Sequence, residues 1–210
     1  MFMEVLVEGG ADVPAVREIL ERRFNLRENI NFRIHPHRGK GKLPENVLSK
    51  PNPRNRGLLD QLPAKLRGFG KLPGSCCVVV LVDADDDNCI DLKSNLIDVY
   101  RNIESKPSCV LFRIAVEETE SWFIADSFAV KSAYPKADLN KIMRAPPDSI
   151  IGAWENLAKA LGRKPEDCIG ADKFEWATRI SPYLDLNNPK SPSLNAFLLG
   201  INDIVLNILR

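Results

Sequence analysis

The chain has 210 residues, 44% of them apolar and 27% charged, which suits one substantial folded domain and excludes a disordered or collagen-like polymer. It carries 29 basic and 28 acidic side chains, a formal net charge of +1. No apolar run nears the ~20 residues of a membrane span, and the opening Met1-Phe-Met-Glu4 lacks the basic region of a signal peptide, so no membrane partner is expected and the cytoplasm is the expected compartment.

Near-neutrality conceals a segregation of charge. Residues 38–71 hold nine basic against two acidic side chains, whereas residues 83–120 hold ten acidic against four basic. A basic stretch and an acidic cluster in one chain point to a phosphate-rich partner and to a cation. Ordinary solvated surface would account for either run alone.

In chain order, Glu4–Val7 is a short apolar run that stops at Glu8-Gly9-Gly10, which predicts a strand ending in a tight turn. Residues 13–23 place Val13, Val16, Ile19 and Leu20 at helical spacing, with Asp12 set to cap the helix and Pro14 in its first turn. Residues 30–35 alternate like a strand with one wet face. From 36 to 73 the chain is rich in proline, glycine and basic residues, which predicts a basic arm or insertion with one helix near 57–67. Val78–Val82 is a continuous β-branched run, expected of a strand buried on both faces and ending in Asp83-Ala84-Asp85-Asp86-Asp87. A helix is expected over 90–102, and then a strand over 110–116 that meets Glu117-Glu118-Thr119-Glu120. A helix opens there, and further helices are expected over 150–161 and 194–209, with looser structure between them. Strands alternating with helices predict an α/β fold with a mainly parallel sheet flanked by helices. The whole of 1–210 reads as a single domain whose part from 127 to 210 is a mostly helical C-terminal extension.

The five cysteines are odd in number, contain no C-x-x-C and stand beside only two histidines. That argues against a thiolate zinc site and against a disulfide framework. Trp122, Trp154 and Trp176 fall in helical contexts and are expected in the core. The apolar stripe Leu194, Phe197, Leu198, Ile201, Ile204, Val205 and Ile208 either packs on the domain or makes a homodimer contact.

In an open parallel sheet, ligands bind beyond the carboxyl ends of the strands. Three expected strands end there in acids: Glu8, then Asp83, Asp85 and Asp87, then Glu117, Glu118 and Glu120. Residues two apart on an extended chain point the same way, so Asp83 and Asp85 can aim at one point. Crowded carboxylates need a cation, and oxygen donors without Cys or His select Mg²⁺ or Mn²⁺. Asp87 or Asn88 capping the next helix, and the glutamates complementing a helix dipole, are the plainer readings. The arm segment His35-Pro-His-Arg-Gly-Lys-Gly-Lys42 is not a Walker A loop, so no ATP site is expected. Its glycines would let backbone amides approach phosphates while Arg38, Lys40 and Lys42 supply charge.

The glutamate-Gly-Gly after the first strand, followed by an apolar strand ending in D-x-D, resembles the Toprim fold of topoisomerases, bacterial primases and OLD (overcoming lysogenisation defect) nucleases. The longer pattern V-E-G-G, H-P-x-x-G-K, V-V-V-L-V-D-A-D-D-D-N-C and R-I-A-V-E-E-T-E-S-W-F-I-A-D is similar to small stand-alone Toprim-like proteins of unknown function. This resemblance implies a divalent-metal-dependent nuclease. Glu8 matches the Toprim glutamate, and Asp83 and Asp85 match the D-x-D metal ligands. Glu120 is the first choice for the acid of a second metal site, with Glu117 its companion and Asp87 in reserve. Lys173 stands where nuclease members draw a basic residue toward the scissile phosphate. The resemblance also implies nucleic acid as partner, a separate ATPase, and a part in phage defence. Phosphoryl or nucleotidyl transfer on a small phosphorylated substrate, and a non-catalytic binding module, remain open alternatives.

Overall fold

The computed structural model describes residues 2–73 and 76–208. Four parallel strands, β1 (Phe2–Val7), β2 (Phe32–Pro36), β3 (Cys76–Asp83) and β4 (Cys109–Ala115), form one sheet in the order β2-β1-β3-β4. Helix α1 (Asp12–Phe24) links β1 to β2, α2 (Leu58–Phe69) links β2 to β3, and α3 (Cys89–Arg101) links β3 to β4. The expected α/β fold is observed.

Strand alternation divides the core between the two faces of the sheet. Val79 and Leu81 of β3, with Val5 and Val7 of β1, face α1 and the C-terminal helices. Val78, Val80 and Val82 face Leu58, Leu62 and Leu66 of α2 and Leu92 and Leu96 of α3. The helix expected within the basic segment is therefore α2, a crossover helix of the sheet, and the irregular basic stretch is the loop before it. That loop lies close on the start of α2: a side chain at Gly41 or Gly57 would meet the other residue's backbone and Asp60, so both positions need the missing Cβ.

Beyond β4 come α4 (Glu120–Ala125), α5 (Ser127–Ala133), α6 (Ala153–Ala160), α7 (Gly170–Ile180) and α8 (Pro192–Ile208). The stretch between 161 and 194, expected to be loose, contains α7, whose entry is held by the Ile169 N–H donating to Asp172 Oδ2 at 2.9 Å. Helix α8 begins after Ser191, whose hydroxyl oxygen accepts the Leu194 N–H at 3.1 Å, with Pro192 at its first position. Its stripe Leu194, Phe197, Leu198, Ile201 and Ile204 is buried on the domain; Leu209 and the side chain of Ile208 fall outside the described residues. Trp122 and Trp176 are core, as expected, and Trp122 Nε1 donates to Ser193 Oγ at 2.8 Å. The Phe197 ring lies 5.6 Å from that of Trp122, centroid to centroid, and is fully buried. Phe197→Ala should therefore lower unfolding stability by about 3–5 kcal/mol, measured by urea titration.

One expectation about the cysteines is overturned. Cys77 and Cys109 are joined in a disulfide. They are register partners on neighbouring strands, with Cα atoms 4.5 Å apart, a pairing that only the sheet brings about. Cys76, Cys89 and Cys168 are free. Among the described residues no helix is long and apolar enough to cross a membrane.

Candidate functional site

The sheet reverses its direction of travel at one place. From β1 the chain moves outward to β2, and from β3 it moves the opposite way to β4, so the C-terminal ends of β1 and β3 border the topological switch point. Glu8 leaves β1 there and Asp83 closes β3. They touch, the Asp83 N–H donating to Glu8 Oε1 at 2.8 Å. Burial, opposed by that hydrogen bond and reinforced by the charges of Asp12 and Asp85, pushes the Glu8 carboxyl up to about 8. Burial, with Asp12, Glu8, Glu120 and Glu118 around it, holds Asp83 well above the usual carboxylate range.

The β4 end supplies the second group. Glu120 is buried in the first turn of α4, and Lys173 Nζ reaches it at 3.4 Å. The same ammonium lies 3.3 Å from Glu118 Oε1 and 5.3 Å from the centre of the Trp154 ring. Glu118 Oε2 accepts the Trp154 N–H at 3.3 Å. Burial and the charge of Glu120 raise the Glu118 carboxyl to about 7, against the pull of Lys173. Burial likewise raises Glu120. Burial disfavours the Lys173 charge, but Glu120, Glu118 and Asp83 outweigh it and the ammonium is held above its ordinary value. Trp154, expected in the core, is only partly buried and floors this ion pair.

The third group is built on the glycine-rich loop. Gly39 and Gly41 take positive φ angles, +85° and +68°, and the Gly39 N–H donates to the Glu8 carbonyl at 2.9 Å. This turns Lys40 back over the sheet, where its Nζ meets Asp87 Oδ2 at 2.7 Å, Asp85 Oδ2 at 3.2 Å and the Ala84 carbonyl at 2.7 Å. Burial opposes the Lys40 charge, and the Asp87 and Asp85 carboxylates more than offset it. Asp85 and Glu117 are both left-handed, φ +48° and +64°, and the Asp85 N–H donates to the Glu117 carbonyl at 3.0 Å.

Of the residues expected from the sequence, Glu8, Asp83, Glu120 and Lys173 thus share one electrostatic neighbourhood, with Lys40, Asp85 and Asp87 beside it. Lys173 pairs with Glu118 and Glu120, and Glu117 makes no ion pair among the described residues. Burial and the charges of Asp86 and Asp85 raise the Glu117 carboxyl. Asn88 does cap α3, accepting from Ile90 N–H and Asp91 N–H, so the plainer reading holds for that residue. Arg38 and Lys42 are exposed and form no ion pair among the described residues; Lys42 lines a cleft with Asp85–Asp87. Asp12 is a correction: it does not cap α1 but sits inside its first turn, buried, accepting the Gly9 N–H and the Thr119 hydroxyl, both at 2.9 Å. It joins the β1 loop to the β4 loop.

Among the described residues no three His, Cys, Asp or Glu side chains already stand as a ligand set for a metal ion. Lys40 holds Asp85 and Asp87, and Lys173 holds Glu118 and Glu120. The donor chemistry nevertheless fits a hard divalent cation: every acid is an oxygen donor, and Glu8, Asp83, Glu118 and Glu120 all bind protons more tightly than free carboxylates do. Lys173→Met should destabilise the protein by about 1–3 kcal/mol at pH 8 and by less at pH 5, where Glu118, raised to about 7, is protonated. Thermal melting at the two pH values checks this; an equal loss at both would assign Lys173 to packing on Trp154.

No curated protein matches the chain. It is similar in structure to the C-terminal region of the Xanthomonas campestris pv. campestris OLD protein, at 16% identity and a TM-score of 0.44 over 97% of this chain and 95% of that one. Residues 7–202 match the family model described as a domain of unknown function (DUF4276). That match takes in every acid and lysine of the site, and the chain belongs to this family.

Proposed function

We propose that the chain is a divalent-metal-dependent phosphodiesterase acting on nucleic acid, a nuclease of the Toprim type. The observation that carries this reading is the meeting of Glu8 and Asp83 at the switch point, with Lys173 a short reach away on Glu118 and Glu120. Acids that hold protons this tightly are poised to exchange them for a cation. Glu8, Asp83 and Asp85 would hold Mg²⁺ or Mn²⁺, and such an ion when bound supplies Lewis-acid polarisation of a phosphoryl oxygen and a more acidic water. Glu120 offers a second place, with Glu117 and Asp87 in reserve.

The chain's own groups supply the rest. The Lys173 ammonium would turn from its carboxylates to a phosphate oxygen and stabilise charge developing there. Glu118, half-protonated near neutral pH, suits proton donation to the leaving oxygen. Lys40 and the backbone of the Gly39–Gly41 turn would meet the substrate backbone. From the sequence resemblance comes a separate ATPase partner and a part in phage defence, which co-purification from the native host tests.

The test is incubation of the purified chain with supercoiled plasmid and labelled single strands in Mg²⁺, Mn²⁺ or EDTA, beside an Asp83→Ala/Asp85→Ala variant. Metal-dependent cutting lost in the variant supports the reading, and no cutting in any metal counts against it. A second reading, transfer on a small phosphorylated molecule, is favoured by the cleft of about 570 Å³ between Lys40, Lys42 and Asp85–Asp87. Turnover of a nucleotide without cutting of strands would select it.

A further inference from the structure

A separate cavity of about 380 Å³ opens at the end of β2, lined by His37, Arg38, Arg56, Gln61 and Lys65 with two prolines. No acid lines it. Among the described residues Arg38, Arg56 and Lys65 form no ion pair, unlike Lys40 and Lys173. The acid whose charge acts on Lys65 is Glu4, whose carboxylate is bound at 2.6 Å to His35 Nε2. Burial lowers the Lys65 pKa, so its charge is held at a disadvantage that an anion would relieve.

The walls are fixed before anything binds. His37 N–H and Nδ1 both reach the Val7 carbonyl, at 3.1 and 2.8 Å. The Arg38 N–H donates to the Arg56 carbonyl at 3.0 Å, tying the two ends of the basic loop together. Pro36 and Pro53 restrict the backbone on either side. Arginine pairs suit the oxygens of a phosphate.

Position supplies the last part of the argument. The order β2-β1-β3 puts the cavity two strand spacings from Asp83 along the C-terminal edge, or ~10 Å. That is within the span of neighbouring phosphates on one strand. We propose that the cavity is a phosphate-binding subsite that grips the backbone of a nucleic-acid strand beside the acid cluster. It rests on the nucleic-acid reading for its ligand, though not on catalysis.

The experiment is fluorescence anisotropy of a labelled single-stranded oligonucleotide binding to the full chain in EDTA, from about 50 to 200 mM salt. Arg56→Gln/Lys65→Met should weaken binding and make the plot of log affinity against log salt shallower by about 1. Lys136→Gln/Lys190→Gln, which removes two exposed charges elsewhere, should keep the parent's slope. Inorganic phosphate should compete with the oligonucleotide on the parent and far less on the Arg56/Lys65 variant. Circular dichroism confirms that both variants are folded. An unchanged slope in the Arg56/Lys65 variant, an equal change in the control, or a parent that binds inorganic phosphate but no oligonucleotide overturns the subsite. Cutting is scored separately in Mg²⁺: a parent that binds with the expected slope yet never cuts sinks the nuclease reading and leaves the subsite standing.

Discussion

Asp83→Asn is expected to lower metal-dependent cleavage on the order of 10³-fold or more while making the metal-free protein harder to melt. The two effects have one origin. Asp83 is surrounded by Asp12, Glu8, Glu120 and Glu118, and burial together with their charges makes its ionised form unfavourable. An amide keeps the shape and removes the charge. Repulsion is relieved in the resting protein, and a ligand is lost from the reacting one. A gain of ~1 kcal/mol at pH 8 would raise the melting temperature of a chain this size by about 2–4 °C, and Mg²⁺ should stabilise the parent but not the variant. Plasmid cleavage and thermal melting in EDTA read the two halves. A variant that still cuts, or that melts well below the parent, would show Asp83 to be a structural residue.

In EDTA, stability should fall as pH rises from about 4.5 to 8. The Glu8 carboxyl is raised from 4.5 to about 8 and that of Glu118 from 4.5 to about 7. Between those limits the unfolded chain has released the protons while the folded chain still holds them. The folded state therefore binds more protons, and raising the pH works against it. The favourable contribution is fully present below about 4.5 and gone above about 8. Glu8→Gln should flatten the upper part of this curve, and Mg²⁺ should restore stability most at pH 8, where it meets ionised carboxylates. Urea titrations at pH 5, 6.5 and 8 measure it; stability rising across this window would refute the assignment of protons to these two acids.

The parts of the molecule that could be read from the sequence are those where a local pattern and a burial requirement coincide. Val78–Val82 could only be a strand covered on both faces, and the helices that cover it are there. The three acidic strand ends followed from the same logic, since parallel strands deliver their C-termini to one edge. Helix α7 was hidden because Gly170-Ala-Asp-Lys and the following residues show a mostly polar surface, its buried side reduced to Trp176, Ala177 and Ile180. Asp12 looked like a cap because capping depends on residue type and spacing, while its actual partners, Gly9 and Thr119, include one that is 107 residues away. That Lys173 meets Glu118 is likewise not recorded in any side-chain pattern, the backbone turning to positive φ at the neighbouring Glu117. The Cys77–Cys109 bond depended on strand register. For Asp12 and for the disulfide the deciding contact is long-range.

Asp85 and Glu117 lie side by side in a backbone region that glycine occupies freely and other residues enter at roughly 1–2 kcal/mol. A chain selected only for endurance to heat would exchange both for glycine, and would shed two carboxylates from the rim of the site as it did so. Robustness and chemistry therefore pull in opposite directions at this rim. A stabilised descendant of this protein should be examined there first for what it has given up.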